Sequence, residues 1–223
     1  MTEYTSIVYD YLHRNMQLPK VYTFNYKDLT FIGMNTVFSP VVFEDTFWFA
    51  ENIPFLQDSS FLEIGCGTGL LSVLSILKGC RKALASDINP NALINTKLNT
   101  VLHKVDHKID ILSSNVFDEI AIHSANKFSL IFWNVPFIYS ASEHLNFLEK
   151  SVFDTDYKGI QQYIERAKYY IEHSGRIFMG FSSSSGNKNF LNDICIRNNA
   201  QLKLHAECLI DDFSLELYEI IYS

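Results

Sequence analysis

Two short stretches of this chain hold residue types that can do chemistry. The first is Glu63-Ile-Gly-Cys-Gly-Thr-Gly69. Its glycines, lacking a Cβ, let a backbone turn sharply and approach a ligand closely. Asp87 lies 18 residues beyond Gly69, near the spacing at which a carboxylate meets ribose hydroxyls. The glycines follow G-x-G-x-G and are preceded by an acid, unlike the G-x-G-x-x-G turn that seats a pyrophosphate on a helix N-terminus. Glu63 suits an ammonium ligand better than a phosphate. The second stretch is Asn134-Val-Pro-Phe137. An amide or ring-attached nitrogen is a poor nucleophile because its lone pair is delocalised. A site that uses one must hold its N–H groups with acceptors and aim the lone pair. Asn134 offers a side-chain oxygen and Val135 a carbonyl. Pro136 holds Val135 extended, and Phe137 can stack on a planar group.

The pattern around these stretches predicts the elements that position them. Ser60–Ile64 reads as a strand entering the glycine turn, and 70–78 as a helix stopped by Gly79. A strand at 83–86, a helix at 90–103 with proline in its first turn, and strands at 108–112 and 128–134 follow. Then come a helix at 160–173 stopped by Gly175, a strand at 176–181, a helix at 188–198, and strands at 202–210 and 214–222 joined by Asp211-Asp-Phe213. Strand–helix alternation means a parallel sheet covered on both faces. The short final turn makes one strand antiparallel. The fold expected is Rossmann-like α/β, with seven strands, mostly parallel. Ahead of it, 4–16 reads as a helix, 22–38 as an aromatic-rich hairpin and 43–53 as a helix ending before Pro54. We therefore expect an appendage over 1–40 and a ligand-binding domain over 41–223.

Composition excludes other classes. The 223 residues are 48% hydrophobic and 19% charged, with 9 Gly and 5 Pro, so the chain is not disordered or collagen-like. Its apolar runs are too short to cross a bilayer, and no signal peptide is visible, so a cytoplasmic protein is expected. A charge of −7 and the absence of a basic block argue against nucleic acid as partner. Four cysteines form no C-x-x-C pair, and the seven histidines are dispersed, so no metal site is expected.

The Glu63–Gly69 turn and Asp87 resemble motifs I and II of class I S-adenosylmethionine-dependent methyltransferases. The resemblance implies S-adenosylmethionine as cofactor. It places Gly65, Gly67, Thr68 and Gly69 around its methionine part, Glu63 by its amino acid end, Asp87 on its ribose and Ile88 over its adenine. Ser114-Asn-Val-Phe117 resembles the segment beside adenine, which adds Asn115 and Val116. Asn134-Val-Pro-Phe137 resembles the "N-P-P-Y/F" of the HemK/PrmC-like branch, with Val135 in place of the first proline and Phe137 in place of tyrosine. Residues 37–40 and Glu44-Asp-Thr46 resemble the segment before the first core strand, which adds Asp45 to the cofactor set.

The function expected is N-methylation of a small planar or amine- or amide-bearing molecule. Alternatives are a protein glutamine, a cyclisation of the cofactor's own amino acid chain with release of methylthioadenosine, and a non-catalytic cofactor-binding subunit. Asn134 to Phe137 are the expected catalytic residues. Phe38, Tyr157, Ser182 and Ser183 are the expected substrate contacts, Tyr157 from a covering loop and the serines from the end of a core strand.

Overall fold

A computed structural model describes residues 3–121, 127–210 and 213–223. Its centre is a seven-stranded sheet of β3 (Ser60–Ile64), β4 (Lys82–Asp87), β5 (Ile109–Ser113), β6 (Phe128–Asn134), β9 (Ile171–Phe181), β10 (Ala200–Ile210) and β11 (Phe213–Tyr222). The order is β10-β11-β9-β6-β3-β4-β5, and β11 runs antiparallel to both its neighbours. The fold is the Rossmann-like one that the strand–helix alternation predicts. All five residues of β3 are buried, as expected for a strand covered on both faces. From β3 the chain winds outward one way to β4 and β5, then returns to β6 and winds the other way. The strand ends at this switch point open a crevice, where open α/β sheets bind ligands. The glycine turn leaves β3 and Asn134 ends β6. The two strands are in register, Ile64 beside Trp133.

Helices α3 (Leu70–Leu77), α4 (Pro90–Leu102), α5 (Lys158–Arg166) and α6 (Lys188–Arg197) connect the strands. One core joins the sheet to α5 and α6 through Ile160, Tyr163, Ile164, Leu191 and Ile194. The opposite core joins it to α3, to α2 (Asp45–Asn52) and to the hairpin of β1 (Val21–Tyr26) and β2 (Leu29–Met34), through Leu70, Leu74, Phe49, Phe24 and Phe31. The hairpin is fastened to α4: Asn95 and Asn99 both donate to the Ile32 carbonyl at 2.8 Å. The first helix, α1 (Glu3–Gln17), buries Val8 and Leu12 against a third cluster with Ile138, Val152 and Phe153. Asn15 continues that stripe and is fully buried. It donates to the carbonyls of Asn35 and Val37 and accepts from the Ser39 amide, so α1 is tied to the segment carrying Phe38.

The structure corrects the expectation for 160–173. The helix ends at Arg166, a short 3-10 turn covers Ala167–Tyr169, and β9 begins at Ile171. Tyr170 is the reason. It is buried, and its hydroxyl bonds the Ile120 carbonyl while its own carbonyl accepts from Phe128 N. Gly175 is no helix stop but part of an irregularity in β9, where the register slips against Phe128 and Leu130. A small parallel pair, β7 (Ile138–Ser140) with β8 (Phe153–Thr155), has no sequence signal, since three residues show no period. The Asp211-Asp212 connection lies outside the described residues.

Candidate functional site

The glycine turn is a backbone cradle. Gly65, Gly67 and Gly69 all have positive φ, at 63°, 53° and 76°. At Gly65 a Cβ would stand 2.8 Å from Trp133 Nε1, and at Gly69 it would stand 2.7 Å from Thr96 Cγ2. Conformation and space therefore both require glycine at these two positions. Glu63 is buried, accepts a hydrogen bond from Ser72 Oγ, and is pushed up to about 8 by desolvation. Asp87 is tied to the turn itself. Its carboxylate accepts from Gly67 N at 2.9 Å and from Asn89 N at 2.8 Å, and burial raises its pKa. A carboxylate has about four acceptor sites, so it retains capacity for a hydroxyl donor beyond these backbone N–H groups.

These groups face a cavity of about 430 Å³ that also takes in Thr68, Ile88, Asn115, Val116, Asn134 and Pro136. Val116 has φ 53°, a strained conformation for a β-branched residue, held by Ser114 Oγ donating to the Val116 carbonyl at 3.1 Å. Asn115 spends its side-chain N–H on Asp118 at 3.3 Å, which leaves its amide oxygen as the acceptor. Sequence reasoning passed over Trp133, Asp154 and Gln162, which also line this cavity. Asp154 caps α5 by accepting from Gly159 N and Ile160 N, and desolvation lifts it to about 6. The Asp154-Thr-Asp-Tyr-Lys-Gly159 run before a helix carried that capping signal.

Asn134 stands at the wall between this cavity and a second, of about 120 Å³. The smaller chamber is lined by apolar side chains from distant segments, among them Val8, Val42, Phe43, Phe137 and Phe213, and Phe38 borders both chambers. Phe38 and Phe43 stack at 4.1 Å between ring centres, which stiffens this wall. Asn134 Nδ2 donates to Asp45 Oδ2 at 2.8 Å. Asn134 Oδ1 is buried and has no hydrogen-bond partner among the described residues. The N–H of Val135, which a proline would lack, donates to the Gly180 carbonyl at 3.3 Å and holds the strand end on β9.

Four expected site residues sit elsewhere. Asp45 does not line the glycine-turn cavity; it borders the smaller chamber, because α2 sits behind Asn134. Tyr157 is wholly buried. Its hydroxyl donates to the Phe137 carbonyl at 2.5 Å and accepts from Asn187 N at 2.7 Å, so it braces the Asn-Val-Pro-Phe loop from behind. Ser182 is buried among Ser184 and Ser185, and Ser183 bonds Glu216 through both its amide and its hydroxyl. The serine loop turns back onto β11 and borders neither chamber.

Comparison with known proteins places this architecture. The methyltransferase small domain family matches residues 28–203. A protein of Methanocaldococcus jannaschii, provisionally named a protein N5-glutamine methyltransferase, is 28% identical over 173 residues, 73% of this chain and 83% of its own. Among solved structures, a provisionally assigned methyltransferase complexed with S-adenosylhomocysteine superposes with a TM-score of 0.63 at 12% identity, over 92% of this chain and 56% of the other. The Mtq2–Trm112 complex of E. cuniculi, responsible for methylation of the termination factor eRF1, matches with a TM-score of 0.59 at 11% identity, over 84% of this chain and 99% of that one. The fold, the glycine turn and the matched span agree: this chain belongs to the methyltransferase small domain family and is an S-adenosylmethionine-dependent methyltransferase.

Proposed function

We propose that the protein methylates the nitrogen of a carboxamide, with the side chain of a protein glutamine as acceptor. The observation that carries this reading is the unpartnered, buried Oδ1 of Asn134, at the wall where the two chambers meet. A buried acceptor left without a partner costs roughly 1–3 kcal/mol, and an N–H group arriving there removes that cost. The name of the Methanocaldococcus jannaschii relative supports glutamine over a free small molecule. The apolar chamber of about 120 Å³ supports an acceptor that enters as one side chain.

The residues present fit the cofactor. Glu63 would meet its ammonium group, the Gly65–Gly69 backbone its methionine part and Asp87 its ribose. Ile88, Asn115 and Val116 would surround adenine. When bound, it supplies a methyl group on a sulfonium centre. The protein's part is positional. Asn134 Oδ1 accepts one N–H of the carboxamide, and the Val135 carbonyl would accept the other. Holding both N–H groups fixes the nitrogen and directs its lone pair toward the methyl group. Phe38 and Pro136 keep water from the junction. The amide nitrogen exchanges one proton for the methyl group, and that proton is released.

The test is to incubate the protein with labelled cofactor and glutamine-containing peptides or release factors, with and without a Trm112-type subunit. Label on glutamine nitrogen together with S-adenosylhomocysteine supports the reading. Label only on small amines overturns the glutamine assignment, and methylthioadenosine as the product overturns methyl transfer altogether.

A further inference from the structure

Asp45 was expected among the cofactor contacts, yet it lies behind Asn134, where its carboxylate meets the Asn134 amide and leaves the amide oxygen bare. We infer that Asp45 is a positioning residue: it sets which end of the Asn134 amide faces the reaction space, and so commits the enzyme to N–H-bearing acceptors over oxygen nucleophiles such as carboxylates. This rests on the reading that Asn134 holds the acceptor.

The geometry leaves one consistent arrangement. Asp45 begins α2, and its Oδ1 is claimed by the Thr46 backbone N–H at 2.6 Å, with Thr46 Oγ1 at 3.4 Å. That donor belongs to the main chain and cannot turn away. Only Oδ2 remains for Asn134, at 2.8 Å. An ionised carboxylate is acceptor-only, so the group that meets it must be the amide nitrogen. The Asn134 oxygen is thereby turned away from Asp45 and can receive only a donor. A carboxylate or alkoxide acceptor would set its own charged oxygen against the Asn134 oxygen and be repelled. Asp45 is 8% exposed, and burial lifts it to about 6, so above that pH it is ionised and purely accepting.

The arrangement makes Asp45→Asn more informative than Asp45→Ala. In Asp45→Asn the side-chain oxygen stays with the Thr46 N–H, which forces the new NH₂ toward Asn134. Asn134 must then turn its oxygen inward and its own NH₂ toward the acceptor, which inverts the polarity of the site. The swap Asp45→Asn with Asn134→Asp restores it: the new aspartate accepts from the NH₂ at position 45 and presents its second oxygen outward.

The experiment compares four proteins, wild type, Asp45→Asn, Asn134→Ala and the swap, for turnover on the carboxamide acceptor and for S-adenosylhomocysteine affinity. The Asn134 side-chain amide is also followed by NMR in the cofactor-free protein. Asp45→Asn should lose at least about a hundredfold in kcat, close to Asn134→Ala, the scale for one misplaced polar group. Its S-adenosylhomocysteine affinity should stay within about threefold, since the change affects the transition state and not cofactor binding. The swap should recover at least about tenfold over Asp45→Asn, a coupling expected only of residues acting as a pair. In the NMR spectrum the Asn134 amide proton that meets the carboxylate should move when Asp45→Asn is made. An active Asp45→Asn enzyme, loss of cofactor affinity alongside turnover, an unmoved amide resonance or a swap no better than Asp45→Asn each overturns the inference. Full turnover by Asn134→Ala would instead bring down the carboxamide reading itself, so the two failures are distinct.

Discussion

On one side of Asn134 the wall is built around main chain, three left-handed glycines and the Gly67 amide held by the Asp87 carboxylate, with side chains such as Ile88, Asn115 and Gln162 completing it. On the other side the wall is side chain, contributed by α1, the 38–45 segment, the end of β6, and Ile210, Phe213 and Leu215. The first chamber is centred on the ends of β3, β4, β5 and β6 and the turns that leave them, with Phe38 and residues from Glu143 to Gln162 closing it. The second needs segments more than 200 residues apart, from Val8 to Leu215. A backbone wall changes little when side chains are exchanged and suits a ligand that stays the same. A side-chain wall changes with each substitution and suits a partner that differs between relatives. Asn134 belongs to both.

Substitutions can break this division. The largest effect is expected at the shared residue: Asn134→Ala should lower kcat by about a hundred- to a thousandfold while S-adenosylhomocysteine still binds, measured by steady-state kinetics beside calorimetry. On the backbone side, Asp87→Ala should weaken S-adenosylhomocysteine by roughly 2–4 kcal/mol, because charge-assisted bonds to two hydroxyls and the anchor on Gly67 are lost together. Unchanged affinity would mean Asp87 serves the turn alone. On the side-chain side, Phe43→Ala removes the ring stacked on Phe38. It should raise the acceptor KM by about tenfold with cofactor affinity kept, consistent with roughly 1–1.5 kcal/mol for an aromatic contact. If cofactor affinity falls as well, the two walls are not independent.

Glu63→Gln is read in stability alone, and its sign follows from burial. The folded-state pKa of Glu63 is raised to about 8 from an ordinary 4.5. Between those values the folded protein holds a proton that the unfolded chain releases, so stability contributed by the neutral acid is lost as pH rises through about 8. Glutamine cannot ionise. The variant should melt higher than wild type at pH near 8 by on the order of a few degrees, and the gap should close toward pH 5. A gap independent of pH would mean that Glu63 is ionised in the folded state.

The relation between Asn134 and Asp45 predicts one further pH effect. Asn134→Asp places two carboxylates where a 2.8 Å hydrogen bond stood. Like charges this close cannot both ionise easily, so the pair retains a proton at higher pH than Asp45 alone, which titrates at about 6. Below that point the pair again holds a hydrogen bond with an oxygen outward. Turnover of Asn134→Asp should therefore rise relative to wild type as pH falls from about 8 to 6. A flat ratio across that range would separate the two side chains functionally.

Much of the cofactor side was legible because its determinants are local. A glycine with positive φ, an acid at a strand end and a proline after an asparagine each act through their own backbone and immediate neighbours. The mostly parallel, seven-stranded sheet could be anticipated from the alternation of elements for the same reason, since each strand and helix carries its own local period. The end of α5 was missed because Tyr170 halts it through a bond to Ile120, 50 residues away. Tyr157 was read as a site residue because an aromatic on a loop before a helix has the same local pattern whether it faces a ligand or the core.

The sequence by itself determined the fold class, the glycine cradle, the Asp87 carboxylate and the Asn-Val-Pro-Phe turn, all written within a few residues of where they act. Only the tertiary structure decided what stands behind Asn134. Asp45 lies 89 residues from it in the chain, and no period or spacing links a residue opening one helix to the end of a central strand. The packing of α2 against the sheet brings them to hydrogen-bond distance. Hydrophobic burial drives that packing through Phe49, which meets Phe132 at 5.3 Å, and the orientation of the amide follows from it.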